Sequence, residues 1–459
     1  LSTLPTEILD KIIEYARPEG FEGMTLTCRQ MYETCKPFFE HYNQRRALLQ
    51  DFAYNRYPAD ARLSPRNPTA LDLITHIANE PVVARYIRHA DLTCDTWPTR
   101  SRPVQVLPDV DSGGPVVALF ADSPYLRQAG LDWKEYYALI QDDLEQLSRY
   151  SQHAAAFLLT LLPNVESLQL PRLWQKCEEA EQLLGTIVHI AAANQSIGFW
   201  DRPSLARLVE FEPYSSTGIG HEFGLDQAIP FLALPKVRSF HGRSCVTADN
   251  TFIEITSRDP YLNYGARLET VRFESSCIDE VAIAAFLKHT PRLRKFKYSH
   301  CTRGRRQDWN ICQFATAIES GAGRTLEELS ISIPQLDGSI IPGRASMRGF
   351  QRLQKLEFPL EIAMCNVAQV PSNLSTADKD LQQATEDLVP ASVSRLSLLS
   401  NGTDRHEKAL KIMFSSFATR KQSWVPALKH LHISLERGAD DAFKEEFNRV
   451  KAEAEGVGV

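Results

Sequence analysis

Apolar residues near the start of the chain recur at helical spacing. Ile8, Leu9, Ile12 and Ile13 fall on one face of the predicted helix, and Asp10, Lys11 and Glu14 on the other. Pro5 suits the first helical position, because its missing N–H would be unsatisfied there anyway. Glu7 puts a carboxylate in the first turn, where the helix dipole favours negative charge, and Arg17-Pro18 with Gly20 ends the run. Two more helical patterns follow: Met24, Leu26, Cys28, Met31 and Tyr32, then Phe38, Phe39 and Tyr42 ahead of Arg45-Arg46. A helix of about eleven residues is marginal alone, and a unit of about 45 residues seldom builds a sufficient core. This segment must therefore bury its stripe against the rest of the chain or against a partner.

Further along, the period changes. Short segments repeat the order apolar-x-x-apolar-x-apolar: Val165 to Leu170, Leu268 to Phe273, Leu293 to Tyr298, Leu326 to Ile331, Leu353 to Phe358, Val393 to Leu398 and Leu428 to Ile433. Leu205-x-x-Leu208 and Val237-x-x-Phe240 lack the third apolar residue, and Tyr86 to Leu92 reads as an opening strand. In a chain that is 43% hydrophobic, three specified positions are all apolar about 8% of the time by chance, so one match alone carries no weight. The spacing carries it: successive starts from Val165 onward lie roughly 25 to 40 residues apart, room for one strand and one helix each. Helix-like stretches fill the gaps at Glu178 to Ala193, Ile278 to His289, Asp308 to Ser320 and Asp404 to Thr419, and a proline often marks the change of element.

Other segments interrupt the repeats. Trp97 to Pro115, rich in Pro, Ser and Gly, reads as a long loop, as do Glu212 to Gly224 and Pro334 to Gly349. Pro371 to Asp387 is polar and reads as partly disordered. Ala439 to Glu455 reads as a charged amphipathic helix with Phe443, Phe447 and Val450 on one side, capping the last repeat. Alternating strands and helices also permit a doubly wound α/β sheet, but that fold expects Gly-rich strand-to-helix turns, which are absent.

Composition narrows the function classes. The chain has 459 residues and a formal net charge of −6, which argues against coating nucleic acid through a globally basic surface. Its longest apolar stretch, Ala154 to Leu162, has about half the length a bilayer span requires. No secretory leader is recognisable, so the nine cysteines, scattered without a CxxC pair or the Cys/His spacing of a zinc site, are expected to be reduced and mostly buried. Catalytic signatures are missing: no Gly-x-Ser-x-Gly elbow, no Gly-Lys-Ser/Thr phosphate loop, no His-Glu-x-x-His helix. His430 and His432 share one face of a predicted strand, with no third ligand evident. Adjacent carboxylates such as Asp142-Asp143 and Asp440-Asp441 diverge on a helix and read as solvated. Neither a metal nor a cofactor is implied.

One binding feature stands out. Between Lys288 and Arg306 there are Lys288, Arg292, Arg294, Lys295, Lys297, Arg303, Arg305 and Arg306, with no acid. Phe296 and Tyr298 point into the core of a repeat strand, so alternation projects Lys295 and Lys297 onto the open, concave face. The same rule exposes Arg272 one repeat earlier, and Arg238 before that. Such a stripe would attract an acidic or phosphorylated protein segment, unless Glu269, Glu274, Glu327 and Glu328 neutralise it laterally.

Leu4-Pro5-x-Glu7-Ile8-Leu9-x-x-Ile12, followed by Leu26-Thr27-Cys28-Arg29-x-x-Tyr32, resembles an F-box, and the likeness covers residues 1–45. The run Pro18 to Gly23 departs from the family, which has aliphatic residues soon after the first helix. The remainder is similar to the irregular leucine-rich repeats found behind F-boxes, especially in fungal proteins. Cys245 and Cys301 fall where that family sets an Asn or Cys that bonds turn backbone, and Cys277 comes one place late. The resemblance implies an α/β class: a helical F-box at 1–45, a helical connector at 46–80, then a leucine-rich-repeat solenoid at 81–436 whose curved parallel sheet carries helices on its outer side. Loop insertions fall near 97–115 and 371–387, and 437–459 forms a capping helix and tail. It implies a non-catalytic subunit of an SCF-type ubiquitin ligase in the cytoplasm or nucleus. Leu4, Pro5, Glu7, Ile8, Leu9, Ile12, Cys28, Arg29 and Tyr32 would contact a Skp-type adaptor, which links to cullin and RING subunits. The repeats would hold a protein for ubiquitin-dependent degradation, with Arg238, Arg272, Lys295 and Lys297 as candidate contacts and no membrane or nucleic acid involved. The alternative is an F-box protein in a Skp-adaptor complex without cullin.

Overall fold

A computed structural model describes residues 4–56, 69–95, 106–146, 150–194, 202–214, 222–247, 264–303, 307–370, 377–435 and 439–459. Much of the expected loop at 97–115, the start of the polar run at Pro371, and Arg305 and Arg306 lie outside the described residues. The chain is α/β and divides into two compact units: residues 1–215 with 233–237, and residues 216–232 with 238–459. The helices at the N-terminus belong to the first unit with everything up to residue 215, and residues 1–45 do not separate from it.

In the first unit, α1 (Thr6–Ala16), α2 (Phe21–Thr25), α3 (Arg29–Cys35) and α4 (Phe39–Leu49) come first. Pro5 is the N-cap of α1, one place ahead of the expected position. Next come β1 (Asp51–Ala53), α5 (Ala70–Asn79), α6 (Val82–Tyr86) and β2 (His89–Asp91), and then α7 (Pro115–Ala121), α8 (Pro124–Ala129), α9 (Trp133–Gln146) and α10 (Gln152–Leu159). The unit continues with β3 (Ser167–Gln169), α11 (Glu178–Ala193) and β4 (Glu210–Glu212). The strands pair in parallel and in chain order, β1 to β2 to β3 to β4, with Phe52, Ala90, Leu168 and Phe211 in one register row. All four of these residues are buried. The apolar run from Ala154, too short for a membrane, begins in α10, every residue of which is buried, and runs three residues past its end. Phe157 stacks on Phe120 at 3.8 Å. A half-buried ion pair ties the N-terminal helices to the rest of this unit: Arg85 binds Glu19, and Asn164 Nδ2 donates to Glu19 Oε1 at 2.6 Å. Burial alone would raise the Glu19 carboxyl, but these bonds outweigh it and hold it below the ordinary range.

The second unit repeats one plan. The strands β5 (Phe223–Gly224) and β7 (Cys245–Val246) form a small ladder of their own. The main strands are β6 (Ser239–Arg243), β8 (Thr270–Ser276), β9 (Lys295–Cys301), β10 (Glu328–Gln335), β11 (Lys355–Pro359), β12 (Arg395–Ser400) and β13 (His430–Leu435). Each pairs in parallel with the next, in chain order. Helices at Glu280–Leu287, Ile311–Ala322, Leu360–Ala368 and Asp404–Met413 lie between strands, as stacked strand-plus-helix units require. Gly321 lies in the helix Ile311–Ala322. A Cβ there would lie 2.7 Å from Leu287 Cβ, so glycine lets two successive helices approach. The polar run expected to be partly disordered contains, among its described residues, a helix at Ala377–Glu386. The stretch read as one helix from Asp404 breaks at Ser416, whose φ is 53°, and restarts as Phe417–Trp424. The final helix, Asp441–Gly456, buries Phe443 and Val450 and packs on those two. The hydroxyl of Ser276, rather than a cysteine sulfur, ties the turn after β8: it accepts from Cys245 N–H at 3.0 Å and donates to Glu274 O at 3.0 Å. Among the described residues, no helix is long and apolar enough to cross a membrane.

Candidate functional site

Two surfaces collect the residues that sequence reasoning singled out, one in each unit. On α1 the expected stripe splits. Leu9 and Ile13 are 3% and 0% exposed, and α2 and α3, which pack on α1, add the buried side chains of Phe21, Met31 and Cys35. The other half is more open: Ile8 is 44% exposed and Ile12 half-buried, and outside the stripe Leu4, just ahead of α1, is 38% exposed and Tyr15 79%. Pro5 and Glu7 are exposed, as are Cys28 and Arg29 at the start of α3. Leu26 and Tyr32 follow at 83% and 44%. Leu9 is thus corrected from a partner contact to a core residue, since its turn of α1 faces the neighbouring helices. The rest of the predicted set apart from the half-buried Ile12, together with Tyr15 and Leu26, is exposed.

The second surface is the outward side of the β8 to β13 sheet. Alternation buries Val271, Phe273, Phe296, Tyr298, Leu329, Ile331, Leu356, Phe358, Leu396 and Leu398. The register then aligns two outward rows: Thr270, Lys295, Glu328, Lys355, Arg395 and His430; and Arg272, Lys297, Ser330, Glu357, Ser397 and His432. Neighbouring strands lie about 4.8 Å apart, so charges in a row meet directly. Lys297 pairs with Glu328 at 2.9 Å, Lys355 approaches the same carboxylate at 3.7 Å, and Ser330 Oγ donates to Glu357 Oε1 at 2.6 Å. Burial alone would raise Glu328, but Lys297, with Lys355 and Lys295, holds it below the ordinary carboxylate range.

The basic stripe is therefore not a bare one. Arg272 pairs with Glu274, and Arg238 faces Glu269 at 3.9 Å. Arg238 also stands outside both rows, because Ser239, one residue on, is the partner of Thr270. The positive excess lies further along the sheet, where Lys297, Lys355 and Arg395 border a groove of about 260 Å³ with Glu328, Glu357, His430 and His432. Among the described residues, no carboxylate forms an ion pair with Lys295 or Arg395. Aligning the repeat starts at Leu293, Leu326, Leu353, Val393 and Leu428 would have found Lys355 and Arg395.

Among the described residues one group of side chains could hold a metal ion: His153, Cys177 and Glu179, in the first unit. No motif spacing announces it, because His153 belongs to α10 and the other two to the start of α11. Asp143, expected to be solvated, is instead mostly covered and bonded to His153.

No family model matches this chain, and no curated protein matches it in sequence.

Proposed function

We propose that this chain is the substrate-recognition subunit of an SCF-type ubiquitin ligase, with its N-terminal helices acting as an F-box and its strand-and-helix units as an irregular leucine-rich-repeat solenoid. The observation that carries the reading is the set of apolar side chains left open at the start of the chain: Leu4 and Ile8 inside the Leu-Pro-x-Glu-Ile-Leu run, and Tyr15 two turns beyond Ile8 on α1. An aliphatic side chain covered by a partner contributes roughly 1.5–3 kcal/mol, so a few such residues suffice to anchor a helical interface. A Skp-type adaptor covering this face would link the chain to cullin and RING subunits. The paired rows of the second unit support the other half of the reading. Four cations, Lys295, Lys297, Lys355 and Arg395, stand against two carboxylates, Glu328 and Glu357, and suit an acidic or phosphorylated segment of a target protein. The mechanism is proximity: the target's lysine is held near a ubiquitin carrier bound elsewhere in the complex, and this chain supplies no reacting group.

The test is adaptor co-purification with the double variant Leu4→Asp and Pro5→Ala. Both residues are exposed, so the fold is expected to survive, read by circular dichroism, while adaptor capture is lost. Adaptor binding that persists in a folded double variant contradicts the assignment. Capture of adaptor without cullin by the unaltered chain would replace the ligase reading by a Skp-adaptor complex of another kind.

A further inference from the structure

His153 opens a separate line of reasoning that does not depend on the function proposed above. Its imidazole sits against Tyr136 in an edge-to-face contact at 5.4 Å, and the Tyr136 hydroxyl donates to His153 O at 2.9 Å, so ring and backbone are both held. On one side, Nδ1 lies 2.7 Å from Asp143 Oδ2. That carboxylate oxygen also accepts from Ser151 Oγ at 2.7 Å, which fixes its position. A carboxylate held on Nδ1 fixes the ring so that Nε2 is the nitrogen turned away from Asp143 and toward the remaining side chains.

What Nε2 faces is a thiol and a second carboxylate. Cys177 Sγ is 3.8 Å away and Glu179 Oε2 3.5 Å, and the three atoms lie within 4.8 Å of one another. A direct bond from Nε2 to a carboxylate would be about 2.7–3.2 Å long. Tetrahedral zinc with ordinary Zn–N, Zn–O and Zn–S bonds sets its ligand atoms about 3.3–3.6 Å apart. The His153–Glu179 gap of 3.5 Å falls in the second range, and the His153–Cys177 gap of 3.8 Å lies just above it. We infer that His153, Cys177 and Glu179 form a binding site for a divalent transition ion, with zinc the best fit, and that Asp143 orients the histidine.

The donor set argues for the ion. One sulfur, one imidazole nitrogen and one carboxylate oxygen suit zinc and exclude magnesium and calcium, which take oxygen ligands. Three protein ligands leave a fourth position for water or an exogenous donor. Glu179 is 35% exposed in its side chain against 9% for His153, which makes the carboxylate side the way in. On binding, the Cys177 thiol gives its proton to solvent and the thiolate takes the ion. Bound there, the ion would join α10 to α11, with α9 attached through Asp143.

Cobalt(II) serves as the spectroscopic probe and zinc(II) as the stoichiometric one, on the full chain after chelator treatment. The expected result is one equivalent bound, visible bands of a tetrahedral cobalt ion and a thiolate-to-cobalt charge-transfer band. Cys177→Ser removes the charge-transfer band and keeps a residue that caps helices well. Asp143→Asn weakens binding about 10–100-fold, and Cys94→Ser changes nothing. Zinc should also raise the unfolding midpoint of the unaltered chain but not that of His153→Gln. A folded chain that takes up no stoichiometric zinc or cobalt at micromolar concentration overturns the site and leaves an imidazolium bridging Asp143 and Glu179. A charge-transfer band that survives Cys177→Ser overturns it too.

Discussion

The open face of α1 and the open face of the β8 to β13 sheet are built on the same rule and end with opposite chemistry. Each belongs to an element that buries one set of side chains and presents the other. On and just ahead of α1 the presented set includes the apolar Leu4, Ile8 and Tyr15 beside the charged Glu7, Asp10, Lys11 and Glu14, and nothing within the described residues covers the apolar members. On the sheet the presented set carries charges that pair among themselves, along β8 through Arg272 and Glu274 and between strands through Glu328. An uncovered apolar face gains free energy whenever something dry lands on it, with little dependence on salt. A self-paired charged face gains only by exchanging one partner for another, so its binding must be selective and salt-sensitive.

The sharpest way to break this contrast is to show that α1 does not have two faces. Ile13→Ala, at a position with 0% exposure, should cost about 2–5 kcal/mol in chemical denaturation. Ile8→Ala, five residues back on the same helix, should change stability by only about 0.5 kcal/mol while weakening adaptor capture. Equal stability losses for the two would mean that the exposed half is structural and no docking surface.

A second test concerns the covered side of the sheet. His300 is 3% exposed, stacks on Trp309 at 4.0 Å and contacts the Tyr298 hydroxyl through Nδ1 at 3.0 Å. Burial pushes its pKa down to about 4 from an ordinary 6.5. The unfolded chain therefore binds the proton first as pH falls, and stability is full above about pH 6.5 and lost progressively toward pH 4. The loss attributable to this group is on the order of 3 kcal/mol, read as the difference in urea midpoints between pH 7 and pH 4.5. His300→Gln should remove that part of the slope. An unchanged slope in the variant would assign the acid sensitivity elsewhere.

Much of this was legible in the residues, and the failures have physical causes. Repeat starts such as Leu293 and Leu326 locate their strands, since a period of two with buried Phe296, Tyr298, Leu329 and Ile331 has few other solutions. The strand at Asp51–Ala53 was invisible because it is three residues long and its pairing with β2 is long-range. Periodicity drew one stripe through Ile8, Leu9, Ile12 and Ile13, but which half is buried is decided by where α2 and α3 pack. Ser416 breaks a helix although its neighbours continue the pattern, a tertiary override of propensity. On the sheet, alternation exposes Lys295 and Lys297, whereas their neutralisation needs the register that sets Glu328 beside them. Asp143, His153, Cys177 and Glu179 converge from three helices, and no spacing along a single chain encodes that.

The smallest expected effect separates the two faces most finely. Glu328 is the carboxylate between Lys297 and Lys355, with its side chain 18% exposed. Glu328→Gln keeps the shape and removes the charge. The lysines are about half-exposed, so screening leaves the pairs worth only about 0.2–1 kcal/mol of stability. Because these cations hold the carboxyl below its ordinary range, that contribution is present above the unfolded pKa and disappears as pH falls through the folded one, which gives the wild-type chain a slight acid-side slope that the variant lacks. Binding moves the other way: with Glu328 neutral, Lys295, Lys297, Lys355 and Arg395 stand against Glu357 alone, and a phosphorylated peptide should bind more tightly at low salt, with the gain shrinking as ionic strength rises. The same substitution leaves adaptor capture unchanged, because no titratable group on α1 takes part. If neutralising Glu328 weakened phosphopeptide binding, the carboxylate would be part of the recognition surface and not its internal counter-ion, and the sheet face would have to be read as a site for a mixed-charge or basic segment.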